Sequence, residues 1–236
     1  MSGQNIKFLS IVPLIGGFTL GAEKKLGKKP EALVSYPPFA GNDSQIVNHY
    51  GDEVPYIVLS DDESDIQKLL QPYKNIDIVT STCPCAGLSQ LNSSKSGDKA
   101  RGAEAAQNQW MYRSTEDVLK FIQPTVLVGE NAPALYTNAG VPVAEKLREI
   151  GKKYGYAFSL FKTSTAFHGI PQNRQRTFYF FWKGPHAPEM EYYNKPKETL
   201  AAYLANVVND ADEVKLLTED IEKDTSFLYA RDVIGP

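Results

Sequence analysis

The sequence is poor in the residues that build covalent or metal-held scaffolds. It has two cysteines, Cys83 and Cys85, in 236 residues. That excludes a disulfide framework, and a bridge between positions two apart would be strained. A reduced, cytosolic chain is the expectation. Its three histidines, His49, His168 and His186, stand at no zinc-ligand spacing, so no metal is expected. The formal net charge is −3, too near neutral to announce a nucleic-acid binder by charge alone. The glycine fingerprint GxGxxG and internal repeats are both missing. Only Phe8 to Ala22 resembles the apolar core of a secretory leader, and Pro13, three glycines and Thr19 interrupt it. No other stretch is long and apolar enough to span a bilayer, so no membrane partner is expected.

What is present is an ordinary apolar content of 42%, enough for a sizeable core, and an uneven distribution of charge. From Lys146 to Lys183 there are eight basic residues against one acid, Glu149, and from Ala187 onward eleven acids against five bases. The basic block leaves room for a polyanion-binding face. A solvated basic helix carrying Lys146, Arg148, Lys152 and Lys153 accounts for half of it equally well.

The chain alternates short apolar runs with helical spacing. Strands are predicted over Ile6–Val12, Glu31–Ser35, Tyr56–Leu59, Ile76–Thr80, Thr125–Val128, Tyr156–Lys162 and Thr177–Trp182. Helices are predicted over Phe18–Lys28, from a cap at Asp43 or Ser44 to Tyr50, and over Ser64–Leu70, Ala103–Ile122 and Val143–Lys153. This alternation points to an α/β protein with a Rossmann-like, doubly wound, mostly parallel sheet. Residues 1–186 read as one domain. Residues 187–236 read as an acidic extension with two short helices, or a linker toward a recognition region not seen here. Ser93–Ala100 is polar and contains glycine, which suggests a mobile loop.

In such a sheet the working residues gather beyond the C-terminal strand ends. Gly16, Asp61, Cys85 and Glu130 each fall just after a predicted strand. Three segments stand out in order: Pro84-Cys85-Ala86-Gly87-Leu88-Ser89, Glu130-Asn131 and Gln172-Asn173-Arg174-Gln175-Arg176. Each has a plain alternative. The cysteines can be small buried apolar residues, Glu130 a helix-capping acid, and the arginines an outward strand face or phosphate contacts.

Together these motifs resemble the catalytic domain of the cytosine-5 DNA methyltransferase family over about residues 7–183. The family carries Pro-Cys-Gln after strand four, Glu-Asn-Val after strand five and Gln-x-Arg-x-Arg after Gly-(Val/Ile)-Pro. This chain has PCAGLS, GENAP and GIPQNRQR, and also Arg101-Gly102 and Gly155-Tyr156 where the family has similar pairs. The resemblance implies the class I S-adenosylmethionine-dependent methyltransferase fold, S-adenosyl-L-methionine as cofactor without a metal, and double-stranded DNA as partner. It implies Cys85 as the nucleophile that adds to C6 of a flipped cytosine. It gives Glu130 the N3 proton, Arg176 the base O2, Arg174 a positioning role and Asn131 the bracing of the loop. It assigns Ile15, Gly16, Gly17, Phe18, Asp61 and Pro84 to the cofactor, and Ser89, Arg101 and Gln172 to the substrate.

The departures fall on the cofactor side. Where the family has Asp-x-Phe-x-Gly-x-Gly-Gly, this chain has Ser10, Val12 and Leu14 at the Asp, Phe and first Gly positions. Strand two is followed by Ser35-Tyr36-Pro37-Pro38, without the family's ribose-binding acid, and Ala86 replaces the Gln after the nucleophile. The family's target-recognition region and closing motifs are not visible, so the expectation is a fragment, a second chain that supplies recognition, or a reduced variant. Two further expectations follow from the departures. One is a non-catalytic paralogue that binds nucleic acid or a partner chain. The other is an RNA substrate or an altered alkyl donor.

Overall fold

The computed structural model describes residues 6–84, 86–88, 105–190, 196 and 199. Its seven strands are β1 (Phe8–Ile11), β2 (Leu33–Ser35), β3 (Tyr56–Val58), β4 (Ile78–Ser81), β5 (Val126–Asn131), β6 (Ala157–Ser164) and β7 (Gln175–Trp182). They form one sheet in the order β3-β2-β1-β4-β5-β7-β6. The first five in chain order are mutually parallel, and β7 runs antiparallel to both β5 and β6. The helices are α1 (Gly17–Leu26), α2 (Ser44–Tyr50), α3 (Glu63–Leu70), α4 (Ala106–Asp117) and α5 (Val141–Lys153).

The central strands read as unbroken apolar runs because both faces are covered. All of β1 is buried, together with Leu33 and Val34 of β2, Val79 of β4 and Leu127 of β5. Local chemistry sets the helix ends. α1 starts from Gly16 and stops at Gly27, both left-handed (φ 86° and 71°), and the Gly27 N–H donates to the Glu23 carbonyl. Asp62 caps α3 by accepting from the amides of Ser64 and Asp65. α4 runs into a π-helical turn, Val118–Ile122, which Gln123 closes at φ 54° just before Pro124.

Three expectations change in detail. Asp43 precedes α2 but its side chain caps nothing. It is fully buried instead and accepts from the Tyr56 hydroxyl at 3.0 Å. Glu130 and Asn131 are the last two residues of β5, not a turn beyond it, because β7 pairs with them through Phe178 and Thr177. Strand β7 likewise starts two residues early, at Gln175, so that Arg176 belongs to the sheet. Ser93–Ala100 and the helices expected within residues 187–236 lie outside the described residues. Among the described residues no helix is long and apolar enough to cross a membrane.

The basic block is used largely within the protein. Lys146 lies 4.4 Å from the Tyr112 ring, Arg148 lies 5.5 Å from the Phe158 ring, and Lys153 pairs with Glu116 at 2.6 Å. Three of the four helix cations thus have protein partners, which favours the plain basic helix over a polyanion face on α5.

Candidate active site

The sheet order reverses between β1 and β4, so the loops after these two strands face one crevice. After β4 the chain passes Cys83 and Pro84 into a short 3-10 turn, Ala86–Leu88. Cys83 is buried. Its sulfur lies 2.9 Å from Ser114 Oγ and 3.3 Å from Ser81 Oγ. Burial pushes its thiol up, against the pull of these hydroxyls, so Cys83 is a packing residue. Gly87 is a close-approach position. A Cβ there would lie 2.6 Å from Ala105 Cβ and 2.8 Å from Asn108 Oδ1, at the start of α4. The expected nucleophile Cys85, with Ser89 and Arg101, lies outside the described residues.

Strand β5 presents its last two side chains to opposite faces, as a pleated strand must. Asn131 is fully buried. Its Nδ2 donates to the Cys83 carbonyl at 3.5 Å, and its Oδ1 accepts from the Ala132 amide at 2.8 Å. It therefore ties the end of β5 to the loop after β4. Glu130 faces the other way and pairs with Arg176 of β7, Oε1 to Nε at 2.5 Å. Burial raises the Glu130 carboxyl above the usual carboxylate range, outweighing the opposing pull of Arg176 and then Arg174. Gly129 makes this placement possible. The Tyr179 ring of β7 crosses directly over it, and a Cβ at Gly129 would lie 2.0 Å from Tyr179 Cζ.

Arg176 and Arg174 extend into an open groove of about 500 Å³ lined by Pro133 and Gln172 to Arg176. Gln172, Arg174, Arg176 and Glu130 are thus brought together. A larger hollow of about 740 Å³ lies between α4 and α5 and includes none of the expected site residues. Salt bridges from Lys120 to Glu63 and from Lys153 to Glu116 occupy its walls.

On the cofactor side the loop between β1 and α1 turns through left-handed backbone at residues other than glycine. Leu14, at the missing glycine position, is left-handed at φ 52°, and Val12 is left-handed at φ 50°. A β-branched residue there is an outlier costing about 1–3 kcal/mol. Ser10 holds the position of the family's Asp with a buried hydroxyl chain. Thr19 of α1 donates to Ser10 at 2.8 Å, and Ser10 lies 2.5 Å from Thr80 of β4. From below, Ile46 packs on Gly16, where a Cβ would meet it at 2.4 Å. Asp43 faces the same loop: the Leu14 amide and the Ser35 and Tyr56 hydroxyls lower its pKa, but burial raises it more.

Above the loop the space is open. A Cβ on Gly17 would touch nothing within 4 Å, α1 has no side-chain cap on its N-terminal amides, and Ile15 is 70% exposed. Such an N-terminus suits an anionic or strongly polar ligand, so the residues present fit a nucleoside cofactor at the loop. Elsewhere they fit it less fully. Asp61, in the loop between β3 and α3, pairs with Arg113 of α4 at 2.6 Å, and Arg113 also donates to the Ser60 carbonyl at 2.9 Å. Arg113 covers the Tyr36 and Trp110 rings at 5.0 and 5.3 Å. Phe18 turns away from the loop to meet the Phe178 ring edge-on at 5.7 Å.

Sequence reasoning missed Arg113 and Tyr179, and took Asp43 for a helix cap only. Only Tyr179 left a trace in the sequence, as the glycine before Glu130. Arg113 and Asp43 stand in no motif.

A parallel sheet reversed at one edge, with a glycine loop after β1 and an acid–arginine pair between the end of β5 and the start of β7, defines an α/β fold of the methyltransferase type. The Entamoeba histolytica methyltransferase EhMeth has this fold with a TM-score of 0.62 at 16% identity, over 87% of this chain and 62% of that one. A triple mutant of Spodoptera frugiperda DNMT2 has it with a TM-score of 0.54 at 13% identity, over 89% and 62%. At these identities the likeness is one of fold alone. The model of the C-5 cytosine-specific DNA methylase family matches residues 6–233, and the chain belongs to that family. It is 25% identical over 239 aligned residues to the Type II methyltransferase M.BanI of Aneurinibacillus aneurinilyticus. That match covers 98% of this chain and 48% of the relative, so the chain spans about half the length of the curated relative.

Proposed function

We propose that this chain transfers a methyl group to carbon 5 of cytosine in DNA, acting as the catalytic half of the machinery, with residues 1–186 as the catalytic domain and 187–236 as an acidic extension. One observation carries the reading. Glu130, raised by burial, is paired with Arg176 on one face of β5, while Asn131 on the other face holds the loop that leads into Cys85. Membership of the cytosine-5 family agrees with it.

Carbon 5 of cytosine is too weak a nucleophile to attack a methyl donor unaided. The Cys85 thiolate adds to C6 and forms the S–C6 bond, while the ring electrons move toward N3 and C5. Glu130 gives its proton to N3 as the charge develops. A carboxyl raised by burial is still protonated where an ordinary one is not. Arg176 donates to O2 and stabilises the same charge, and Arg174 and Gln172 orient the neighbouring groups. S-adenosyl-L-methionine, when bound, supplies the electrophilic methyl. Ile15, Gly16 and Gly17 would hold it at the α1 N-terminus, beside Pro84, and Asp61 would meet its adenine. A water molecule or hydroxide then takes the C5 proton, the C5–H electrons reform the C5=C6 bond as the S–C6 bond breaks and the Cys85 thiolate leaves, and the N3 proton returns to the Glu130 carboxylate. The base must leave the duplex for C6 to be reached. Phe18 would act on the cofactor only through the loop, given its contact with Phe178. Ser89 and Arg101 would contact DNA, and target recognition would come from a second chain or from a further part of this protein. The test is covalent trapping on an oligonucleotide containing 5-fluorocytosine, which blocks the last step. A trapped complex is expected with the native chain and lost in Cys85→Ala.

A second reading rests on Asp61, which is tied to Arg113, and on the lack of an acid after β2. It is a paralogue that binds nucleic acid without transferring methyl groups. Calorimetry with S-adenosylmethionine separates the two, since binding supports the enzyme and its absence the paralogue. An RNA substrate or altered donor would appear as a different product nucleoside in mass spectrometry.

A further inference from the structure

The turn between β6 and β7 presents two large apolar side chains to solvent, Phe167 at 51% and Ile170 at 44% exposure. They stand directly before Gln172, Arg174 and Arg176. The turn is not loose. Thr165 organises it from one position. Its amide donates to the Arg174 carbonyl at 3.0 Å, and its carbonyl accepts from His168 at 3.0 Å and Ile170 at 3.3 Å. Its hydroxyl donates to the Gln172 carbonyl and accepts from the Arg174 amide at 3.0 Å. His168 Nε2 lies 2.9 Å from Thr163 Oγ1, and Gly169 takes the left-handed turn at φ 79°. A segment held this firmly could have turned its apolar groups inward. It instead leaves them exposed, just ahead in the chain of the residues that line a groove of amides and guanidinium groups.

We propose that Phe167 and Ile170 form an apolar wedge that packs against DNA bases or sugars next to the flipped cytosine, while Arg174 holds the adjoining phosphate. The proposal rests on the DNA-methylating reading above and deepens it. Charge complementarity selects the occupant. The patch adjoins Arg174 and two amide side chains, which suit a backbone phosphate and base edges, and an aromatic group offered beside them stacks on a base without demanding its identity. When the target base leaves the stack, the exposed faces of its neighbours need apolar cover, and the wedge supplies it.

The test uses the full chain carrying Phe167→Trp, titrated with a short cytosine-containing duplex and read as emission in excess of the native Trp110 and Trp182. Quenching on DNA addition is expected. Ile170→Ser combined with Phe167→Ser should weaken binding about tenfold and leave the salt dependence unchanged. Arg174→Ala should lower that dependence by about one ion. Binding with an Arg174-dependent slope but no response from Trp at position 167 overturns the wedge and leaves the DNA reading standing. A response to a second protein in the absence of DNA overturns it too, since the patch is then a protein interface. Failure to bind DNA even with the recognition part supplied overturns both.

Discussion

Adding one methyl group at Gly129 should be among the most disruptive small changes in this chain. The new Cβ would lie 2.0 Å from Tyr179 Cζ and 2.3 Å from its hydroxyl oxygen, where ordinary contact begins at 3.4 Å. Tyr179 cannot swing aside cheaply, because it is wholly buried and its ring abuts Phe181 at 6.1 Å between centroids. Relief must come from the pairing of β5 with β7, which also sets the Glu130–Arg176 contact. Overpacking of this kind costs about 3 kcal/mol, or roughly 6–12 °C in Tm for a chain of this size. Thermal and urea unfolding of Gly129→Ala, Tyr179→Leu and the double variant form a cycle. The double variant should lose at least about 1 kcal/mol less than the two single losses added together. A Gly129→Ala chain within about 1 kcal/mol of the native one, or costs that simply add, would refute the packing explanation of this glycine.

Other expectations follow from the same contacts. Arg113→Ala should free Asp61 and tighten S-adenosylmethionine binding by up to about fivefold in calorimetry, since an exposed pair of this kind is worth at most about 1 kcal/mol; weaker binding would make Arg113 part of the cofactor site. Glu130 has a raised pKa in the folded chain, so the folded state keeps a proton that the unfolded chain has released. Stability should therefore fall as pH rises from the ordinary carboxylate range through that raised value, and then level off. Glu130→Gln should lack this decline, and identical Tm-against-pH curves would contradict a buried, proton-holding Glu130. Cys83→Ala should cost about 1 kcal/mol of stability and leave DNA trapping intact, and a thiol reagent should spare Cys83 until the chain unfolds.

The strand and helix sequence was legible because each central strand is a short apolar run bounded by a turn, and each helix has a visible stop or cap, Gly51 after α2 included. The pairing of Glu130 with Arg176 was legible only as two motifs; β7 makes it a contact by returning antiparallel beside β5, which no local pattern encodes. The departure from the first cofactor motif was legible in Ser10, Val12 and Leu14, but the packing that holds this loop was not. Left-handed Leu14, the Thr19–Ser10–Thr80 hydroxyl chain and buried Asp43 draw on three strands and two helical segments. Such support is set by tertiary packing, and Asp43 in particular read as a helix cap because its local neighbours are those of a cap.

The most direct measurement is covalent capture of the full chain on a duplex bearing 5-fluorocytosine, with S-adenosylmethionine and any partner chain present. The expected result is a denaturation-resistant protein–DNA adduct, with the cross-linked peptide containing Cys85, lost in Cys85→Ala and retained in Cys83→Ala. An adduct that survives Cys85→Ala, or one that maps to Cys83, would contradict Cys85 as the nucleophile and with it the proposed chemistry.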